Sequence, residues 1–354
     1  MRGRLVGLGE VMARMTVPDR GRFGQAVPGK WEMSLAGAEL NVAVGYVQLG
    51  GEASFVTALP EHAMADAVVA EIRGLGVGIE QVVRSAEGRL GLFFLEAGSG
   101  HRAAQVIYDR EGSSFSRVGP GSYDWEGVFA GAGRLHLSGV TPAVSRNAAE
   151  VARRAVEEAG VRGVPVSFDM NFRRRLWQWE AGKGAEELAA ETVRGLMPGV
   201  ELFIGGVDDV AMLTGELEVA KAGHAAAARL LVNRWPNVKR VAMTMRESIT
   251  ATRQRLGGML YEAEGDRVAM GPVTYEMTEI ADRLGGGDAF AAGLLTALDD
   301  PALDDPALSE SETAVAFAVA ASCLAHTVPG DFALVSRGEV ETLMRGGGGG
   351  RVMR

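Results

Sequence analysis

Short apolar runs alternate with longer helix-forming stretches along most of this chain, and that alternation restricts its fold more than any other feature. The runs at 5–8, 53–58, 135–138, 164–169, 202–204 and 240–244 have strand length and bury on both sides. Between them, residues 38–49, 63–75, 146–159, 184–197 and 220–233 read as helices. Strand–helix alternation of this kind predicts an α/β fold of three layers, with a mostly parallel sheet covered by helices on both faces. Ligands of such sheets gather at the carboxyl ends of the strands.

Two segments interrupt the alternation. Residues 14–34 and 90–108 are strand-like without intervening helices, and the second contains the turn Ala97-Gly98-Ser99-Gly100. With their flanks, taken as 11–35 and 88–112, they are expected to form a small β-sheet that projects from the core as a lid. A lid keeps water away from transfer chemistry. Its free edges and apolar face favour a homodimer through it, or a higher homo-oligomer. Two unrelated surface hairpins fit the same pattern.

The 354 residues suit one large domain, here placed at 1–345, followed by a glycine-rich tail at 346–354 expected to be flexible. Hydrophobic residues make up 47% and charged residues 23%, as in globular proteins. A net charge of −9 without a block of Lys or Arg argues against nucleic acid or an anionic membrane surface as partner. An acid at Glu10 precludes a signal-peptide apolar region at the start, and no run has transmembrane length, so the expected location is cytoplasmic. The single cysteine, Cys323, lies in an apolar helical run and reads as a buried thiol. Histidines at 62, 101, 136, 224 and 326 have no metal spacing. The tandem Asp-Asp-Pro-Ala-Leu at 299–308 reads as an acidic linker between helices.

The chemistry concentrates in Asp282-Arg-Leu-Gly285-Gly286-Gly287-Asp288, which opens an alanine-rich helical stretch. Glycines let successive N–H groups turn toward one point, and a helix start adds unpaired donors and partial positive charge. Such a place attracts phosphate or a developing oxyanion. An Asp set there repels phosphate and suits a general base, the combination needed for phosphoryl transfer to a hydroxyl. The same residues also suit a plain capped turn. Two other glycine motifs are weaker. Gly24 to Lys30 has P-loop spacing but ends in Trp31 where a Ser or Thr is required. Gly7-Leu-Gly9 lacks the third glycine of a dinucleotide fingerprint, which argues against a dehydrogenase.

Near the N-terminus, Leu35-Ala36-Gly37-Ala38-Glu39-Leu40-Asn41 places Gly and Asn at the start of a helix directly after a lid-like strand. Together with the triple-glycine run, this closely resembles the two signatures of the ribokinase/PfkB carbohydrate kinases, with Ala36 and Gly286 as small departures. The likeness runs over nearly the whole chain. Residues 9–14, 37–41, 135–142, 168–173 and 329–332 look most like the branch acting on 2-keto-3-deoxygluconate.

The resemblance implies a ribokinase-like fold and an ATP-dependent kinase for the terminal hydroxyl of that sugar acid. Asp288 would be the base and Gly285, Gly286 and Gly287 the anion hole. Gly37 and Asn41 would hold sugar hydroxyls, while Phe93, Tyr108, Arg110 and Val140 would line the pocket. Arg173 would hold substrate and phosphate, and Asp331 the keto or hydroxyl end. Thr244, Gly285 and Gly287 would face the nucleotide, with adenine near 314–325. ATP and Mg2+ are the implied cofactors, with a monovalent cation beside Asp282 as a further one. Asp209 would hold the magnesium through water, although Gly206 stands where relatives carry Asn. Alternatives are a kinase for fructose or 5-keto-2-deoxygluconate and, from another class, a catalytically weak sugar-acid binding protein.

Overall fold

The computed structural model describes residues 3–347. The glycine-rich tail expected at 346–354 lies almost wholly outside the described residues. Strands comprise β1 (Arg4–Leu8), β2 (Met12–Thr16), β3 (Glu32–Ala36), β4 (Ala53–Pro60), β5 (Val82–Ser85), β6 (Gly91–Glu96) and β7 (Gln105–Asp109). They continue with β8 (Ala132–Ser138), β9 (Val166–Asp169), β10 (Leu202–Ile204), β11 (Arg240–Thr250), β12 (Arg253–Glu262), β13 (Arg267–Met270) and β14 (Tyr275–Met277). The longer helices are α1 (Ala38–Gln48), α2 (Ala63–Gly74), α3 (Arg146–Arg162), α4 (Ala185–Leu196) and α5 (Val207–Thr214). They are followed by α6 (His224–Arg234), α7 (Gly286–Asp299), α8 (Glu310–Ala325) and α9 (Arg337–Met344).

The main sheet runs β13-β12-β11-β10-β9-β8-β1-β4-β5, with β14 beside β12. From β5 to β11 all neighbours are parallel, whereas β12 pairs antiparallel with β11, β13 and β14. Side chains alternate across this sheet with period two. Leu5, Phe55, Ala242 and Leu260 enter one apolar core, and Val6, Val56, Val241 and Met259 enter the other. Helices α1, α2, α7, α8 and α9 supply the first core, and α3–α6 the second. This is the expected three-layer α/β fold. Small residues bring α7 close to α8: a Cβ on Gly293 would sit 2.9 Å from the Ala318 Cα.

The interrupting segments form a second sheet of four strands, β3-β2-β6-β7, over a small cluster of Met12, Ala36, Phe93 and Leu95. Its central pair, β2 and β6, is parallel. Several expectations need correction. Segment 14–34 is not all strand, because Pro18–Arg20 forms a 3-10 turn and Phe23–Ala26 a single helical turn. The stretch 220–233 breaks at Gly223, whose φ of 91° lies in the left-handed region, and α6 starts after it. Strand β11 runs six residues past the expected end at Thr244, held by its antiparallel pairing with β12. Cys323 is half-buried rather than buried.

Candidate active site

The carboxyl ends of the parallel strands meet the small sheet around one cavity of about 120 Å3. Gly37, Asn41, Phe93, Tyr108 and Arg110 line it on the side of α1 and the small sheet. Val140, Arg173, Gly285, Asp288 and Asp331 line it from loops above the main sheet and from α7. Most of the residues assigned from sequence therefore converge. The cavity shares Tyr108 and Arg173 with a wider one of about 610 Å3.

Backbone geometry sets the base of the site. Gly285 caps α7 with a φ of 77°, and a Cβ there would lie 2.0 Å from the Asp331 carbonyl oxygen, so this position needs glycine twice over. Helix α7 starts at Gly286, two residues before Asp288, which places Asp288 in the first turn beside the helix's unpaired N–H groups. Gly286 packs on His326 and is tied down by Ser322 of α8, whose hydroxyl donates to the Gly286 carbonyl at 2.6 Å. A Cβ on Gly287 would meet open space. Gly286 and Gly287 do not line the small cavity; they stand beside it.

The Asp288 carboxylate accepts a hydrogen bond from Asn41 Nδ2 at 2.7 Å and faces Asn171 Nδ2 at 3.5 Å. Asn41 is fixed in turn by Gly37, whose backbone N–H donates to its Oδ1 at 3.3 Å. A Cβ on Gly37 would lie 2.4 Å from the Glu10 carbonyl oxygen, which explains glycine there. Burial pushes Asp288 up to about 7 against the opposing effects of Asn41 and Arg173. Asp169, at the end of β9, is pushed up to about 8 by burial and then by the nearby charges of Asp288 and Asp209. Asp331 is pushed up to about 6 by burial against the opposing charge of Arg14, so three acids at the site keep a proton above the ordinary Asp range.

The opposite wall is built differently. Arg110 donates through Nε to Glu10 Oε2 at 2.7 Å and makes a second bond to the same oxygen through Nη2. Its Nη1 is buried without a hydrogen-bond partner, and so is Glu10 Oε1. Back on the side of Asp288, Arg173 is exposed and forms no ion pair among the described residues. Asp331 is paired with Arg14 Nη1 at 2.5 Å.

Sequence alone assigned no role to Glu10, Arg14, Glu39, Asp169, Asn171, Arg246 or Arg283. Glu39 is buried under the site, where its Oε1 accepts from the Ser138 N–H, the Ser138 hydroxyl and the Thr141 hydroxyl at 2.7–2.9 Å. Asp169 and Asn171 lie within the quoted 168–173 motif, and the φ of 34° at Asn171 turns the chain back across the strand ends. Arg283 donates to Ser248 Oγ at 3.0 Å. Arg246, much of whose side chain meets solvent, is lowered by desolvation and then by Arg283 and Arg173, so three guanidinium groups share one region.

Other assignments fare less well. Thr244 lies within β11 opposite Gly258 and lines neither cavity. Of the stretch 314–325 expected near the adenine, residues 314–322 are packed into the core against α7 and the sheet, while Cys323 and Leu324 are partly exposed. Asp209 Oδ2 accepts the Gly206 N–H at 2.7 Å and closes the start of α5, while burial raises its proton affinity. Among the described residues no three His, Cys, Asp or Glu side chains are placed to hold a metal. None of their helices is long and apolar enough to cross a membrane.

Known proteins share this architecture. The profile of pfkB family carbohydrate kinases matches residues 4–335. A 2-dehydro-3-deoxygalactonokinase of Haloferax volcanii is 31% identical over 351 residues, covering 99% of each chain. The crystal structure of 2-dehydro-3-deoxygluconokinase from Thermotoga maritima superposes with a TM-score of 0.87 at 33% identity, over 98% of this chain and 99% of that one. A putative 2-keto-3-deoxygluconate kinase from Enterococcus faecalis gives 0.85 at 25% identity, over 99% of both.

Proposed function

Since this chain belongs to the pfkB family of carbohydrate kinases, we propose that it moves the terminal phosphoryl group of ATP to the primary hydroxyl of 2-keto-3-deoxygluconate. The observation that carries this reading is the cavity itself, which brings the Asn41–Asp288 pair and the donors of Arg110 and Arg173 around one space. A hydroxylated acid meets both needs, and a guanidinium matches a carboxylate in shape and charge. The Haloferax relative favours a second reading, 2-keto-3-deoxygalactonate, which differs from the first only in configuration at C4.

In this mechanism the substrate hydroxyl lies against Asp288. Its oxygen attacks the terminal phosphorus, the bond to the bridging oxygen of ADP breaks, and the hydroxyl proton passes to the Asp288 carboxylate. A carboxylate is a weak base toward an alcohol, so the proton moves late, as phosphorus draws charge from the oxygen. The N–H groups at the start of α7 face the charge that develops on the phosphoryl oxygens. Arg173, Arg246 and Arg283 bear no carboxylate partner among the described residues and would neutralise the polyphosphate.

Magnesium commonly binds through one or two carboxylates and the nucleotide phosphates, keeping several waters. Asp169 and Asp209 lie near enough that the charge of Asp209 raises Asp169, and a cation beside the two would relieve that repulsion, so they fit that donor set. They would hold the ion, which when bound supplies charge neutralisation to the phosphates. The small sheet would act as a lid over the cavity. Its exposed Met33 and Ile107 support pairing with a second copy through the outer face.

A coupled assay of ADP release tests the substrate. The expected order puts 2-keto-3-deoxygluconate and its C4 epimer ahead of gluconate, 5-keto-2-deoxygluconate, fructose and ribose. Preference for a neutral sugar would overturn the acid reading, and failure of every sugar to consume ATP would favour a binding protein.

A further inference from the structure

We propose that Arg14 is a built-in cation: its guanidinium holds the root of the glycine loop in place of a bound monovalent ion, so that the protein needs neither potassium nor sodium. A family likeness implies such an ion beside Asp282, and the residues there do not fit one. Arg14 stands on β2 of the small sheet and is buried. Its Nη2 pairs with Asp282 Oδ2, its Nη1 with Asp331 Oδ1 at 2.5 Å, and its Nε donates to Thr16 Oγ1 at 2.9 Å. All three nitrogens of the planar fork are therefore used.

The acceptors that an ion would require are also committed. Asp282 Oδ1 accepts the Leu284 N–H at 3.1 Å, and Oδ2 lies 3.3 Å from the Gly330 N–H in addition to Arg14. The carbonyls of Ile280 and Ala281, next along the same loop, accept from Arg20 Nη2. Arg20 itself is tethered to the small sheet, since its carbonyl accepts from Arg102, which pairs with Glu96 of β6. An alkali ion binds through oxygen atoms and competes poorly for acceptors already bonded to a buried guanidinium. One positive charge fixed by the chain lies between two acids, one at the root of the glycine loop and the other lining the substrate cavity. Arg14 is accordingly a positioning residue: it sets where Gly285–Asp288 stand without touching the reacting atoms.

The activity arm of the test rests on the kinase reading, and the binding arm does not. Unfolding temperature and kcat/KM are measured in potassium, sodium and tetramethylammonium chloride at equal ionic strength. The expected result is a spread of less than about twofold in kcat/KM and no potassium-specific rise in Tm. Activation by potassium of about fivefold or more, or a potassium-specific rise in Tm, overturns the proposal. If no sugar acid is turned over, the kinase reading fails, and the Tm series still decides this one. Arg14→Met empties the position, and its kcat is expected to fall at least about tenfold and to recover partly in guanidinium or potassium chloride. Arg14→Lys keeps the charge and is expected to remain indifferent to potassium. Unchanged kcat in Arg14→Met would also sink the idea, and if that variant does not fold, the wild-type ion series decides the matter alone.

Discussion

The two walls of the substrate cavity handle buried charge in opposite ways. On one wall Asp288, with Asp169 close behind it, is an acid without an ion pair, and burial drives the two up to about 7 and about 8. On the other, Arg110 and Glu10 form a pair through two N–H groups sharing one oxygen, with a donor left over. The first wall keeps its charge adjustable near neutral pH, which suits a group that must accept a proton. The second keeps its charge fixed, which suits recognition. The cost also differs, because an unpaired buried charge weakens the fold as well as serving the chemistry.

The largest effect is expected at the adjustable wall. Asp288→Asn keeps the shape and removes the base, so kcat is expected to fall by about 10²–10⁴-fold while nucleotide affinity changes little. Plotted against pH, the wild-type kcat/KM is expected to rise through about 7 as the free enzyme's Asp288 gives up its proton. The residual rate of Asp288→Asn is expected to lack that inflection. A variant with near-normal turnover would break the comparison at its most important point.

Two arginines, Arg110 at the fixed wall and Arg173 across from it, separate structure from recognition. Arg110→Ala strands the buried Glu10 carboxylate, and an unfolding titration is expected to show a loss of about 3–5 kcal/mol. Arg173→Ala removes an exposed cation without an ion pair and is expected to leave stability unchanged. Its kcat/KM for a sugar acid is expected to fall roughly 10–100-fold, since hydrogen bonds to charged groups contribute about 1.5–3 kcal/mol, with a smaller loss for a neutral sugar. Equal losses for the two sugars would show that Arg173 does not read the carboxylate.

The last effect, at Asp169, shows only as pH changes, and its sign is specific. Because its folded pKa is raised from 3.8 to about 8, unfolding releases a proton between those values, and stability falls as pH rises through that window. Asp169→Asn has no proton to lose. Its stability relative to the wild type, read from denaturant unfolding, is expected to rise from pH 5 to pH 8 by on the order of 1 kcal/mol per pH unit, and then level off. A constant difference across that range would mean that Asp169 is ionised in the folded protein.

The sequence made the glycine motifs of the site far more legible than its buried ion pairs. Gly37, Asn41, Gly285 and Asp288 stand in short motifs whose spacing follows from backbone geometry, and strand alternation gave the three layers. The Glu10–Arg110 and Arg14–Asp282 pairs join residues distant in sequence, and no local pattern records which arginine meets which acid. The helix assigned at 220–233 failed at Gly223 because apolar spacing does not register a left-handed turn. The end of β11 was placed at Thr244 for a related reason. A strand-end position cannot be read until the partner strand is known, and the antiparallel β12 carries β11 well past it.

The order of the chain through the small sheet has a consequence for how the protein matures. Its middle is a parallel pairing of Met12 with Gly91 and their successors, and the chain between them builds β3, α1, β4, α2 and β5. Closing so long a loop costs entropy that only the main sheet and its helices can offset, so those must assemble first. Hydrogen-exchange protection in β2, β6 and β7 should appear last during refolding and be lost first under mild denaturant. Active enzyme would then emerge later than folded core, and a newly made chain would bury its hydrophobic layers before it could bind a sugar.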